Sequence, residues 1–160
     1  MTKSRINNAG ICNMETSASL LERLGDSPQE ADWRQLVDLY TPLIRTWLRR
    51  YSSSQQDADD VVQEVLAVVI RKLPAFERQR TGAFRSWLRS ITVNCLRDSW
   101  RAKRYRPLAT GGTDFRQLLE QMTDETSELS QLWNREHDQH VLQSLLEQVR
   151  PSLTDETWQA

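Results

Sequence analysis

The chain has 160 residues, 38% of them hydrophobic, and its 21 basic and 22 acidic side chains give a formal net charge of −1. That length holds one domain, or one domain and part of another. A charged content of 27% and the lack of any apolar run near ~18 residues exclude a membrane span.

Two cysteines, Cys12 and Cys95, make neither a disulfide framework nor a metal-ligand spacing, which fits a reducing, cytoplasmic setting. The N-terminus MTKSRINNAGICNMETS has no apolar segment of the signal-peptide kind. Overall neutrality hides a segregation of charge. Residues 1–70 carry 7 basic and 10 acidic side chains, residues 71–106 carry 11 and 2, and residues 107–160 carry 3 and 10. A middle of +9 between flanks of −3 and −7 implies a polyanionic partner for the middle.

Taken in chain order, residues 1–13 are polar and pattern-free and are expected to be disordered, with Met14 an alternative start. From there apolar residues recur three and four apart, and with only five glycines nothing reads as strand, so the expected fold is all-α. A short helix over 17–24 should stop at Gly25. Ser27 and Glu30 then form a predicted capping box with Pro28 at the first helical position. The next helix has Trp33, Leu36, Val37, Tyr40, Ile44, Trp47, Leu48 and Tyr51 on its buried side, and Pro42 inside it is expected to bend it or split it in two. After the polar run SSSQQ, Asp57 is the predicted cap of a third helix, with Asp59 and Asp60 near its positive end. Val62, Val65, Leu66, Val69 and Leu73 form its stripe and Pro74 ends it.

A basic loop, FERQRTG, leads to FRSWLRSITVNCLRDSWRAKR, with Thr81 as predicted cap and an apolar stripe of Phe84, Trp87, Leu88, Ile91, Cys95 and Leu96. Pro107 and TGGT mark a linker. A short helix near 114–122 and a longer one near 128–149 follow, halted by Pro151. The tail LTDETWQA reads as the start of another helix with Thr154 as cap.

Two faces carry chemistry. On the basic helix, Arg85 and Arg89 lie one turn apart on one side. Arg97, Arg101 and Arg104 follow at i, i+4, i+7, continued by Lys103 and Arg106. Asp98 is the only acid in this helix, so the row is not the salt-bridged surface of an ordinary solvated helix and matches phosphates along a nucleic-acid backbone. Phe84 and Trp87 sit on the apolar stripe, which favours core packing over base stacking, and Trp100 fits either role. On the acidic helix, DADDVVQEVL puts Asp57, Asp60 and Glu64 at i, i+3, i+7, opposite Val62, Leu66 and Val69. Such a row admits a metal site, an acid/base pair, a docking surface or a capping acid among solvated charges. No histidine, glycine-rich loop or nucleophile accompanies it, which weakens catalysis. EHDQH at 136–140 spaces His137 and His140 at i, i+3 without further partners, and reads as helix-surface polar residues rather than a metal site.

Together, DADDVVQEVL, the basic loop and GAFRSWLRSITVNCLRD resemble region 2 of bacterial RNA polymerase sigma factors over residues 30–107, nearest the extracytoplasmic-function group. The Met14–Gly25 opening and ATGGTDF are similar to a sigma group common in environmental bacteria. The resemblance implies a compact helical bundle and a non-enzymatic initiation subunit needing no cofactor or metal. Its D-x-x-Q-E docks on the coiled coil of the polymerase clamp, which maps to Asp60, Gln63 and Glu64 with Asp57 beside them. The loop and helix start meet the melted non-template strand of the promoter minus-ten element, which maps to Gln79, Arg80, Thr81, Arg85 and Trp87. The rest of the helix grips the duplex edge, through Arg89, Ser90, Asn94, Arg97 and Arg101, with Lys103 and Arg104 continuing the row. Core RNA polymerase, promoter DNA and an anti-sigma factor are the partners that the family admits.

The expected organisation is a disordered extension over 1–13, the sigma-like domain over 14–107, a linker and helices over 108–150, and over 151–160 the beginning of a second helical domain. In the family that second domain carries a helix-turn-helix for the minus-thirty-five element. A second reading is a truncated sigma-like protein-interaction module without independent promoter recognition.

Overall fold

The computed structural model describes residues 17–52, 54–77, 80, 82–103 and 112–152. Among them run six α-helices and no strand: α1 (Ser17–Asp26), α2 (Glu30–Leu48), α3 (Gln55–Lys72), α4 (Ala83–Lys103), α5 (Gly112–Thr123) and α6 (Glu128–Val149). The predicted disorder over 1–13, the Pro107–TGGT linker up to 111 and the tail with Thr154 lie outside the described residues.

Local rules place the helix starts, and two of them differ from the sequence expectation. Helix α1 runs through Gly25 to Asp26, and α2 begins at Glu30 behind an extended Gln29 rather than behind Ser27. The backbone N–H of Gln29 donates to Asp32 Oδ2 at 3.1 Å, and Arg23 of α1 donates to Asp32 Oδ1 at 2.9 Å. One carboxylate thus caps α2 and fixes the α1–α2 corner, which the Ser27–Glu30 pair was expected to do. For α3 the cap is Ser54, not Asp57. Ser54 is extended (φ −147°, ψ 165°), accepts from the Asp57 N–H at 3.1 Å and donates from its hydroxyl to Asp57 Oδ2 at 2.8 Å. Asp57 is already the third helical residue and serves as the reciprocal partner.

Helix α2 stays one helix through Pro42. Proline removes the hydrogen bond to the carbonyl four residues back, but Pro42 and Asp38 are both exposed, so water can serve that carbonyl. Leu36 and Tyr40 before the proline, and Leu43, Ile44, Trp47 and Leu48 after it, are buried in one core that holds both halves in line.

Helix α3 lies between α2 and α4. Its inward residues are Ala58, Val61, Val62, Val65 and Val69, short side chains that let both neighbours close in. Arg45 of α2 ties across to α3 through Asp59, Nε to Oδ1, at 2.7 Å. Helix α4 supplies Phe84, Leu88, Ile91, Cys95, Leu96 and Trp100 to the same core.

The helices after the predicted linker fold back onto this core. Met122 of α5 is 2% exposed and Trp133 of α6 is fully buried. Trp133 meets Trp47 of α2 edge-on (centroids 5.2 Å apart, planes at 87°) and donates from Nε1 to the Arg85 carbonyl at 3.1 Å. Emptying a site of that size costs about 3–5 kcal/mol. Arg50, just beyond the end of α2, grips Glu136 with two bonds of 3.0 and 2.7 Å. His140 donates from Nε2 to the Leu39 carbonyl at 2.6 Å, and His137 is buried with its ring stacked 5.7 Å from Tyr40. The EHDQH stretch is therefore not the solvated helix surface that the sequence suggested: three of its five side chains seat α6 on α2. No helix of the described residues is long and apolar enough to cross a membrane.

Candidate functional site

The acidic candidates separate once the fold is in place. Asp60, Gln63 and Glu64 are exposed along one side of α3, while Asp57 is half-buried and engaged with Ser54. Asp59, one residue from Asp60, turns the other way into the pair with Arg45. In DADD, then, one acid braces the capping serine, one locks two helices together and one faces outward. Ala67 and Ile70 extend the outward row, Ile70 being 40% exposed. Ile70 was not singled out from the sequence. Its signal is an isoleucine standing off the Val62–Val65–Val69 stripe, and it gives an otherwise polar face an apolar end. Beneath this face lies Cys95, whose thiol is pushed up to about 11 by burial, with the Glu64 carboxylate adding to the effect. Among the described residues, no three histidine, cysteine or carboxylate side chains gather into a group able to hold a metal ion.

The basic candidates divide into two sets. Ser90, Asn94, Arg97 and Arg101 follow one another at i, i+4, i+7 and i+11 on one side of α4. Ser90, Asn94 and Arg101 are exposed; Arg97 is half-buried and donates to Asn94 Oδ1 at 2.7 Å, which orders both side chains. Lys103 is the last residue of α4. Gln79, Thr81 and Arg104 lie outside the described residues.

Arg85 and Arg89 point elsewhere. The expectation that they share a solvated face needs correction, because Arg89 is only 3% exposed. The Asp124 and Glu125 carboxylates of the turn between α5 and α6 lie near enough to act on its charge. Neither Nε nor one terminal nitrogen of Arg89 has a hydrogen-bond partner. Burial pulls its guanidinium pKa down, opposed by the Glu125 and Asp124 carboxylates. Arg85 is half-buried and pairs with Asp138 of α6, and the exposed Arg80 pairs with Glu125 at 3.3 Å.

Gly82 makes the Arg85 geometry possible. Its φ of +80° is the left-handed region that glycine adopts without strain, and a Cβ there would stand 3.0 Å from Arg85 Nε. It also accepts the Ser86 N–H at 3.2 Å, opening α4.

Asp138 joins this side to His137. Burial alone would raise its carboxyl pKa, but hydrogen bonds from His137 Nδ1 (3.0 Å) and Arg85 hold it below the usual range. His137 in turn is pushed below its ordinary 6.5, chiefly by burial, against the opposing pull of Asp138.

Trp87 packs half-buried against Phe76 and Phe84, at 4.8 and 5.6 Å between centroids, leaving part of the indole accessible. Trp100, left open by the sequence, is a core residue at 7% exposure.

Both faces fall within a stretch that known proteins share. Residues 36–106 match the family Sigma-70 region 2, from the middle of α2 to just beyond α4. Over that stretch the chain is similar to Sigma-70 region 2, and the relatives it matches are RNA polymerase sigma factors. Its relatives include the ECF RNA polymerase sigma factor SigE of Mycolicibacterium smegmatis, 28% identical over 88 residues, which are 55% of this chain and 33% of that protein. The RNA polymerase sigma factor CnrH of Cupriavidus metallidurans is 28% identical over 106 residues, 66% of this chain and 54% of that one. The chain thus spans about a third to a half of the length of these curated relatives. No solved structure matches it.

Proposed function

We propose that this chain is a sigma-type transcription initiation subunit, binding core RNA polymerase through α3 and the promoter minus-ten element through α4, in the cytoplasm where both partners reside. The observation that carries this reading is a pair of rows, Asp60–Gln63–Glu64 exposed on α3 and Ser90–Asn94–Arg97–Arg101 along one side of α4, both inside the matched Sigma-70 region 2 stretch.

The work such a subunit performs is binding work. Opening duplex DNA costs a few kcal/mol per unstacked step, which capture of the freed strand must offset. Arginines on a rigid helix supply phosphate contacts, and Trp87 offers an accessible aromatic edge beside them. Because α3 packs directly on α4, the two faces belong to one stiff body. Docking of α3 on the polymerase then fixes where α4 lies and makes its contact with DNA effectively intramolecular. Ile70 would add apolar contact at the end of the α3 row.

The test is retention of core polymerase on immobilised protein. The unaltered chain should retain it, and Asp60→Arg with Glu64→Arg should weaken binding tenfold or more, roughly the cost of placing like charges against a matched patch. Both positions are exposed, so the helical circular dichroism should not change. Undiminished binding by the double reversal would refute the α3 assignment.

A further inference from the structure

Arg80 and Arg85, assigned above to the freed strand, and Arg89, assigned to the duplex edge, already face anions, and those anions belong to the same chain. Arg80 pairs with Glu125, Arg85 pairs with Asp138, and Arg89 is closed in beside Asp124 and Glu125. Among the described residues no carboxylate pairs with Arg97 or Arg101 in the row Ser90–Asn94–Arg97–Arg101, where Arg97 donates to Asn94. The acidic segment therefore shuts one half of α4 and leaves the other open.

We propose that the α5–α6 hairpin is a built-in competitor of the promoter strand. Its carboxylates at Glu125 and Asp138 occupy the places of strand phosphates on the N-terminal half of α4, and the hairpin turn must lift before that half can take DNA. The inference rests on the strand-binding reading of α4 and adds an order to it: the open row meets duplex first, and the covered arginines take the strand afterwards.

Two features of the closed state fit a cover that lifts rather than a permanent wall. The outer tie is weak, since the Arg80 and Glu125 side chains are 66% and 59% exposed and water screens such a pair. The inner side is frustrated, since Arg89 is buried with Nε and a terminal nitrogen unbonded. Lifting the turn hydrates Arg89 and offers it to a phosphate. Trp133 wedged against Trp47 and Arg50 holding Glu136 keep α6 in the bundle, so the turn lifts off Arg80 and Arg89 at its tip, while the 55%-exposed Asp138 side chain yields Arg85 by rotating.

The experiment uses the full chain and a fluorescent single-stranded oligodeoxynucleotide of mixed sequence, alongside its duplex, read by anisotropy. Glu125→Gln with Asp138→Asn removes both ties while keeping shape. Single-strand affinity should tighten about three- to tenfold, as expected when a masked state loses two weak ion pairs, and duplex affinity should stay nearly constant. Glu22→Gln with Asp26→Asn makes the same charge change on the exposed side of α1 and should leave both affinities as they were. Equal gains in the two double variants, or no gain in the first, would overturn the proposal.

A second reading uses unaltered protein, in which the oligonucleotide should speed amide hydrogen exchange across 124–141; unchanged exchange in the bound state also overturns it. Arg97→Ala with Arg101→Ala separates the two levels of the argument. If it weakens duplex binding while the hairpin variant gains nothing, only the cover is disproved. If no variant and no probe shows binding, the DNA reading falls and the cover with it.

Discussion

Arg89 shows how a single residue escapes local reading. Arg85 and Arg89 are four apart on a helix, a spacing that describes a charged stripe as long as nothing comes to cover it. The carboxylates that act on the buried Arg89, Asp124 and Glu125, stand some 35 residues later in the chain, and helical periodicity carries no sign of them. The same limit separates Asp59 from Asp60: the first meets Arg45 of another helix and the second meets solvent, although both stand in one DADD run. Gly82 was equally silent, because its use depends on where the Arg85 guanidinium lies. Buried cations without full hydrogen bonding are often worth less than a hydrocarbon of similar volume. Arg89→Met should accordingly stabilise the chain by about 1 kcal/mol, raising Tm by about 2–4 °C for a protein of this size, while weakening single-strand DNA binding. Scanning calorimetry checks the first part; a fall in Tm would mean that Glu125 and Asp124 compensate Arg89 fully.

At the scale of elements, the sequence was most informative where an apolar stripe was continuous, and least where a helix is apolar on several sides. The extents of α3 and α6 lie close to their predicted ranges because Pro74 and Pro151 mark ends that any environment would respect. Which side of α6 faces inward was not legible. Leu142 and Leu146 stay 58% and 45% exposed while His137 is buried, so hydrophobicity alone would have turned the helix the wrong way. That choice makes the seating of α6 sensitive to acid. His137 faces Asp138, Arg85 and His140, and its pKa lies below the ordinary 6.5. The unfolded chain then binds the proton more readily than the folded one. The stabilisation is present above that ordinary value and is lost as pH falls through it toward the folded value. Asp138, whose pKa is also lowered, acts in the same direction further down, losing its contribution as its carboxylate is protonated. Between about pH 7 and 5 the thermal midpoint should drop, and His137→Gln should flatten that slope. Equal slopes in the two proteins would show that His137 does not sense the change.

For the molecule as a whole, the segregation of charge along the chain becomes a matching of charge in space, with acids of the C-terminal third set against arginines of the middle. The all-α fold was readable from sequence, as was the outward placing of Asp60, Glu64 and Arg101; the return of α5 and α6 onto the bundle was not, because contacts so distant in the chain leave no periodic trace. DNA affinity should fall as salt rises, and Arg101→Ala should lower the slope of log K against log salt by about one unit, or less for a single strand. An unaltered slope across a salt series would mean that Arg101 touches no phosphate.

The meeting of Trp133 with Trp47 has a consequence of another kind. Two indoles from distant parts of the chain stand 5.2 Å apart and nearly perpendicular, close enough for their electronic transitions to interact. The signal of that pair in the near ultraviolet exists only while α6 is seated. Unlabelled protein therefore carries its own chromophoric gauge of whether α6 holds its place in the bundle.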